Sequence, residues 1–121
     1  MSDLAGNPYA SIVELSKAYR NKSVSPSEVT KAQLARIDDL DTKLGSYQTI
    51  YSDEALAAAQ VADEAFTKDS RLGPFHGIPF ALKDIYELKD QITTCGSYEL
   101  RLRISAETGT VVRRLLEAGG I

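Results

Sequence analysis

The chain has 121 residues, 43% hydrophobic and 26% charged, a composition typical of globular domains that argues against a disordered or fibrous class. Its 17 acidic and 14 basic residues give a net charge of −3, which argues against a nucleic-acid partner, because such proteins usually carry a basic surface. No apolar run approaches the roughly 18 residues that span a bilayer, and the N-terminus lacks the regions of a signal peptide. We therefore expect a cytoplasmic protein without a membrane partner.

Apolar residues recur at helical spacing in two segments near the N-terminus. The first segment predicts a short amphipathic helix over residues 9–20. The second begins at Ser25, where Glu28 follows three residues later as in a capping box, and it ends at Gly45. The apolar positions of this second helix are Leu34, Ile37, Leu40 and Leu44.

The middle of the chain predicts strands and helices in alternation. A run rich in tyrosine, threonine and isoleucine predicts a strand over residues 47–51. Ser52 then suits the N-cap of a third helix, whose first turn carries Asp53 and Glu54 and whose alanine-rich body has high helix propensity. A second strand with its exit loop is expected over residues 78–88.

The C-terminal part predicts a final helix over residues 107–120. Its apolar face would consist of Val111, Val112, Leu115 and Leu116, and two glycines would end it. Ser97 is expected to cap a short helical stretch over residues 98–103. The order helix, helix, strand, helix, strand, helix indicates an α/β fold in which helices cover a sheet.

Lys83 is the first candidate for chemistry, because it ends the apolar run of the second predicted strand. Burial among apolar neighbours disfavours the charged form of a lysine and would make its amine a base near neutral pH. The alternative is an ordinary surface lysine that reaches solvent or pairs with Asp84. That pair is weakened by the alternation of side chains along a strand.

His76 and Cys95 offer a second candidate, a thiolate nucleophile activated by an imidazole. Nothing in the sequence determines their geometry. A lone loop histidine is more often a hydrogen-bonded spacer, and a lone cysteine is more often a small buried apolar residue. A single cysteine and a single histidine exclude an internal disulfide and leave no His/Cys metal cage. Thr93 and Thr94 would either orient a substrate or form a hydroxyl-capped turn.

Two segments together resemble the amidase signature family. Residues 73–97, GPFHGIPFALKDIYELKDQITTCGS, are similar to a family pattern in which a Gly-Pro-Leu-His-Gly-Ile-Pro segment leads into a strand ending in Lys-Asp and then a Thr-Thr-x-Gly-Ser turn. Residues 108–121, TGTVVRRLLEAGGI, are similar to the next helix of the family, and the helical stretch 25–66 has the expected upstream arrangement.

The resemblance implies a mixed central sheet covered by helices and the hydrolysis of amides by a Ser–cisSer–Lys triad. The lysine of the triad maps onto Lys83, while the nucleophilic serine and the bridging serine belong to a downstream Gly/Ser-rich stretch. Ser97 belongs to the turn and is not expected to be the nucleophile. No metal or organic cofactor is implied, and the substrate would be a small-molecule amide.

On this interpretation residues 1–121 are the N-terminal segment of a single amidase-signature domain, with the downstream catalytic serine region absent and the sheet incomplete. The complete parent would be an amidase, and the 121-residue chain alone would be inactive. An exposed sheet edge would favour homo-oligomers or other association. The alternatives are a non-catalytic fragment or interaction module that retains the family scaffold, and a small Cys/His hydrolase.

Overall fold

A computed structural model describes residues 4–69 and 71–121 of the chain. These residues form two compact units. The helical unit runs to Pro79 and includes Gly119–Ile121, and the loop unit is Phe80–Ala118. Helices α1 (Ile12–Arg20), α2 (Pro26–Leu44) and α3 (Ser52–Lys68) lie in the helical unit. A 3₁₀ helix (Tyr98–Leu100) and helix α4 (Thr110–Glu117) lie in the loop unit.

Capping boxes determine where α1 and α2 begin. The hydroxyl of Ser25 accepts the N–H of Glu28 at 3.2 Å, and the Glu28 carboxylate accepts the N–H of Ser25 at 2.8 Å. Ser11 and Glu14 form the same pair at the start of α1, a box that was not predicted from the sequence. Gly45 ends α2 in the left-handed conformation, with φ 60°. The prediction of α2, including both of its ends, is confirmed.

Helix α3 begins differently from the prediction. The N-cap is Tyr51, no side chain caps the helix, and Ser52 is its first residue. The prediction that Ser52 caps α3 is therefore wrong by one position. Asp53 and Glu54 do lie in the first turn, where they complement the helix dipole without a side-chain cap.

The core of the helical unit forms where its helices meet. Tyr19 packs against Phe66 with their ring centroids 5.6 Å apart, and Ile78 joins the same cluster of buried residues. Helices α2 and α3 pack against each other. Ala59 and Ala62 are buried on α3, as the small side chains of this helix predicted.

The two predicted strands do not form. Over residues 4–69 and 71–121 there is no regular strand, and β pairing is limited to the isolated antiparallel bridge between Ile92 and Ile104. A strand requires a neighbouring backbone along its length to satisfy its N–H and C=O groups. In the described residues neither 47–51 nor 78–88 forms a regular ladder of such bonds. Single backbone bonds do occur in the second range, from the Ile121 N–H to the Ile78 carbonyl and from the Gly109 N–H to the Glu87 carbonyl, both at 2.9 Å. The expected mixed sheet and its exposed edge are thus not present in the described residues.

Helix α4 is shorter and less buried than predicted. It begins at Thr110 with Gly109 as the N-cap and ends with Ala118 as the C-cap. Of the predicted apolar face only Val112 is buried, while Val111 and Leu116 are exposed. None of the helices in the described ranges is both long and apolar enough to cross a membrane.

Candidate active site

Lys83 lies in a tight turn of the loop unit and not at the end of a strand. Its carbonyl accepts two backbone N–H groups, from Ile85 at 2.7 Å and from Tyr86 at 3.0 Å. The Lys83 side chain is exposed. The predicted burial of this lysine is therefore absent here, because no strand of the described residues forms a sheet that would enclose it.

The neighbouring Asp84 is bound to the Thr-Thr turn. One carboxylate oxygen accepts the N–H of Thr94 at 2.8 Å, and the other accepts the Thr94 hydroxyl. These bonds, the hydroxyl bond most strongly, hold the pKa of Asp84 below its ordinary value. The suggested Lys83–Asp84 ion pair does not occur among the ion pairs of the described residues.

The turn that carries Thr94 is closed by its own hydrogen bonds. The Thr94 hydroxyl oxygen accepts the N–H of Gly96 at 3.1 Å, and the Thr94 carbonyl accepts the N–H of Ser97 at 2.9 Å. Cys95 and Gly96 both have positive φ, 52° and 72°. The interpretation as a hydroxyl-capped turn is confirmed for Thr94.

A second layer of hydroxyl groups supports this turn. Thr93 donates to the carbonyl of Tyr86 at 3.4 Å, and Ser105, which is 1% exposed, donates to the Thr93 hydroxyl at 3.1 Å. The Ser105 backbone also bonds to Gln91 and Asp90, both at 2.8 Å. Sequence reasoning missed Ser105, since no local motif connects it to a turn 12 residues away.

Ser97 has a local partner that accounts for its hydroxyl. It donates to the Glu99 carboxylate at 2.6 Å, and this bond lowers the pKa of Glu99. Ser97 is the N-cap of the 3₁₀ helix, but its side chain makes no capping bond. The predicted helical stretch over residues 98–103 is therefore reduced to Tyr98–Leu100.

His76 and Cys95 belong to different units. His76 packs edge-on against Phe66 in the helical unit, with ring centroids 5.5 Å apart. Cys95 is exposed in the loop unit, so the interpretation of this cysteine as a small buried residue is wrong. Among residues 4–69 and 71–121, no three His, Cys, Asp or Glu side chains are grouped so that they could hold a metal ion.

Comparison with known proteins identifies the family. The sequence model of the Amidase family matches residues 28–121, and the chain belongs to this family. It is 44% identical over 108 residues to a glutamyl-tRNA(Gln) amidotransferase subunit from Geobacter sulfurreducens, covering 89% of this chain and 22% of the relative. The corresponding subunit from Acidothermus cellulolyticus is 38% identical over 119 residues, covering 98% of this chain and 23% of the relative. The chain thus spans about a fifth of the length of these curated relatives.

Solved structures of the same family are similar to the chain. The native peptide amidase from Stenotrophomonas maltophilia matches with a TM-score of 0.85 and 28% identity, covering 94% of this chain and 24% of that protein. Fatty acid amide hydrolase matches with a TM-score of 0.86 and 28% identity, covering 97% of this chain and 20% of that protein. The resemblance to the amidase signature family is confirmed.

Proposed function

We propose that the chain is the lysine-bearing segment of an enzyme that breaks the C–N bond of an amide, with Lys83 as the general base. The observation that carries this proposal is the Lys83–Asp84 loop bound to the Thr94 turn, in a chain that belongs to the Amidase family. The nucleophilic serine and the bridging serine would come from residues outside this sequence. We call the longer protein that contains them the parent.

The chemistry needs a neutral amine at Lys83. The Nζ lone pair would take a proton from the bridging serine while that serine takes the proton of the nucleophilic serine, which attacks the amide carbonyl. The same proton would then return to the leaving nitrogen as the C–N bond breaks. Because Lys83 is exposed in this chain, the apolar surroundings that favour the neutral amine would come from other segments of the parent.

An amidotransferase is the second candidate. It is favoured by the curated relatives, which are named as amidotransferase subunits and whose identity to this chain, 44% for one of them, exceeds the 28% of the peptide amidase. Both classes break the C–N bond of an amide. A hydrolase releases the nitrogen as a free amine or ammonia, whereas an amidotransferase passes it to an acceptor molecule. Lys83 would have the same role in both.

Substitution of Lys83 in the parent tests the proposal. Lys83→Ala should lower kcat on the order of 10²–10⁴-fold, the effect of a lost general base. Lys83→Arg should fare no better between pH 6 and 9, because a guanidinium does not release its proton there. Lys89→Ala, at another exposed lysine of the loop unit, is the control and should retain activity.

Two results would contradict the proposal. Near-normal activity of Lys83→Arg would show that the positive charge is what matters and would contradict the general base. Residues 1–121 alone should hydrolyse no simple amide above the buffer rate, because the proposal places both triad serines outside this sequence. Amide hydrolysis that follows the purified chain through a second purification would contradict the proposal that the triad serines lie outside this sequence.

A further inference from the structure

We propose that Asp84 and Thr94 form a latch that positions Lys83, so that Asp84 is a positioning residue for the lysine reaction. The latch is defined as the two hydrogen bonds from the Thr94 N–H and the Thr94 hydroxyl to the Asp84 carboxylate. This inference rests on the proposed function of Lys83. It assigns a role to the acid next to the lysine, for which the sequence suggested only an ion pair.

The latch restricts the backbone of Lys83 through its neighbour in the chain. Two bonds from one threonine to both carboxylate oxygens hold the plane of the carboxylate as well as its position. The Lys83 Cα lies one peptide unit, about 3.8 Å, from the Asp84 Cα. The Lys83 carbonyl is also held, by the N–H groups of Ile85 and Tyr86. The remaining freedom of Lys83 lies in its side chain.

The partner of Asp84 is itself held firmly. Thr94 is 7% exposed, and its hydroxyl and carbonyl oxygens close the turn through Gly96 and Ser97. The preceding Thr93 is 2% exposed and bonds to the buried Ser105. The latch therefore attaches the Lys83 loop to a buried hydroxyl frame and not to a loose surface segment.

The charge of Asp84 keeps the latch closed at neutral pH. Its pKa is held below the ordinary value by the Thr94 hydroxyl, the Thr94 N–H and, more weakly, the N–H groups of Gly96 and Cys95. An ionised carboxylate accepts hydrogen bonds only, which matches the donors around it. These donors occupy both oxygens of Asp84, and Asp84 forms no ion pair with Lys83 in the described part of the chain.

The test is a set of variants of the parent measured for kcat and KM. Thr94→Val, which removes the hydroxyl, should lower kcat on the order of 10–10²-fold with KM nearly unchanged, because a misplaced catalytic group costs rate. Thr94→Ser, which retains the hydroxyl, should restore kcat to nearly the wild-type value. Ser97→Ala, which removes a hydroxyl of the same turn that donates to Glu99, is the matched control and should leave kcat unchanged.

A double variant distinguishes positioning from a merely structural role. If the latch acts through the lysine, adding Thr94→Val to Lys83→Ala should cause no further loss, since coupled residues are not additive. An additive loss, or a Thr94→Val enzyme with wild-type kcat, would overturn the proposal. Asp84→Asn, which retains one acceptor oxygen for the Thr94 N–H, gives the same comparison if Thr94→Val does not fold. A Lys83→Ala variant with wild-type kcat would instead contradict the proposed function.

Discussion

Gly119 lies directly against the ring of His76. A Cβ placed on Gly119 would overlap Nδ1 of His76 and would lie 2.7 Å from its Cγ. The ring also packs edge-on against Phe66, with the centroids 5.5 Å apart, and this contact limits its movement away from Gly119. Gly119 also has φ 88° and accepts the N–H of Gly77 at 2.8 Å. Close packing and backbone conformation therefore both require glycine at this position.

Gly119→Ala should destabilise the fold more than a change of backbone conformation alone would. The matched control is Gly45→Ala, where φ is 60° but a Cβ meets no atom within 4 Å. We expect about 1–2 kcal/mol for Gly45→Ala from its left-handed conformation. Gly119→Ala should cost roughly 1–3 kcal/mol more because of the overpacked ring. Urea unfolding of the two variants measures the loss in the free energy of unfolding. Equal losses in Gly119→Ala and Gly45→Ala would contradict the contact with His76.

The caps of α2 and α3 should respond differently to the same substitution. Ser25→Ala removes a hydroxyl that accepts the N–H of Glu28, so it should cost about 1 kcal/mol of the free energy of unfolding. Ser52→Ala should be nearly neutral, because Ser52 is the first helical residue and does not cap α3. Thermal unfolding of the two variants provides the comparison. A larger loss at Ser52 would restore the predicted cap.

Tyr19 should make the chain sensitive to alkaline pH. Its hydroxyl is buried without a hydrogen-bond partner in the described part of the chain. Burial, with a smaller contribution from Asp63, raises the pKa of Tyr19 well above its ordinary 10.0. The unfolded state therefore loses this proton first, so the contribution to stability is complete below pH 10 and is lost as the pH rises further.

Tyr19→Phe tests this pH dependence directly. The variant should match or slightly exceed the wild type at pH 7, because it removes an unpaired buried hydroxyl. It should also lose less stability than the wild type between pH 9 and 11, as measured by urea midpoints. Tyr9→Phe, at a tyrosine that is 88% exposed, is the control and should follow the wild type. An identical alkaline loss in Tyr19→Phe and the wild type would refute the assignment.

Cys95 should be dispensable for activity. Its side chain is exposed, and its contribution to the site is the backbone conformation of the turn. Cys95→Ala in the parent should keep the rate of amide cleavage within a few fold. A loss of activity on the order of 10³-fold with the fold intact would instead support the thiol of Cys95 as the nucleophile, because removing a nucleophile usually causes a loss of that size.

The helices could be predicted because their signals are local. Ser25, Glu28 and Gly45 lie at the two ends of α2, and the groups they satisfy are only a few residues away along the chain. The resemblance to the amidase signature family likewise came from continuous segments. Both interpretations depend on neighbours in the sequence, and the structure and the comparisons confirm both.

The strands and the environment of Lys83 depend on distant parts of the chain. Residues 47–51 have strand-like composition, but a strand exists only where another backbone pairs with it, and pairing is not encoded in the segment itself. The exposure of Lys83 likewise depends on distant parts of the chain, because a sheet that enclosed Lys83 would bury its side chain. The Asp84–Thr94 latch spans ten residues, and the Thr93–Ser105 bond spans 12. Their formation requires a folded turn to bring hydroxyl groups together, so contacts across the loop unit, and not local propensity, determine them.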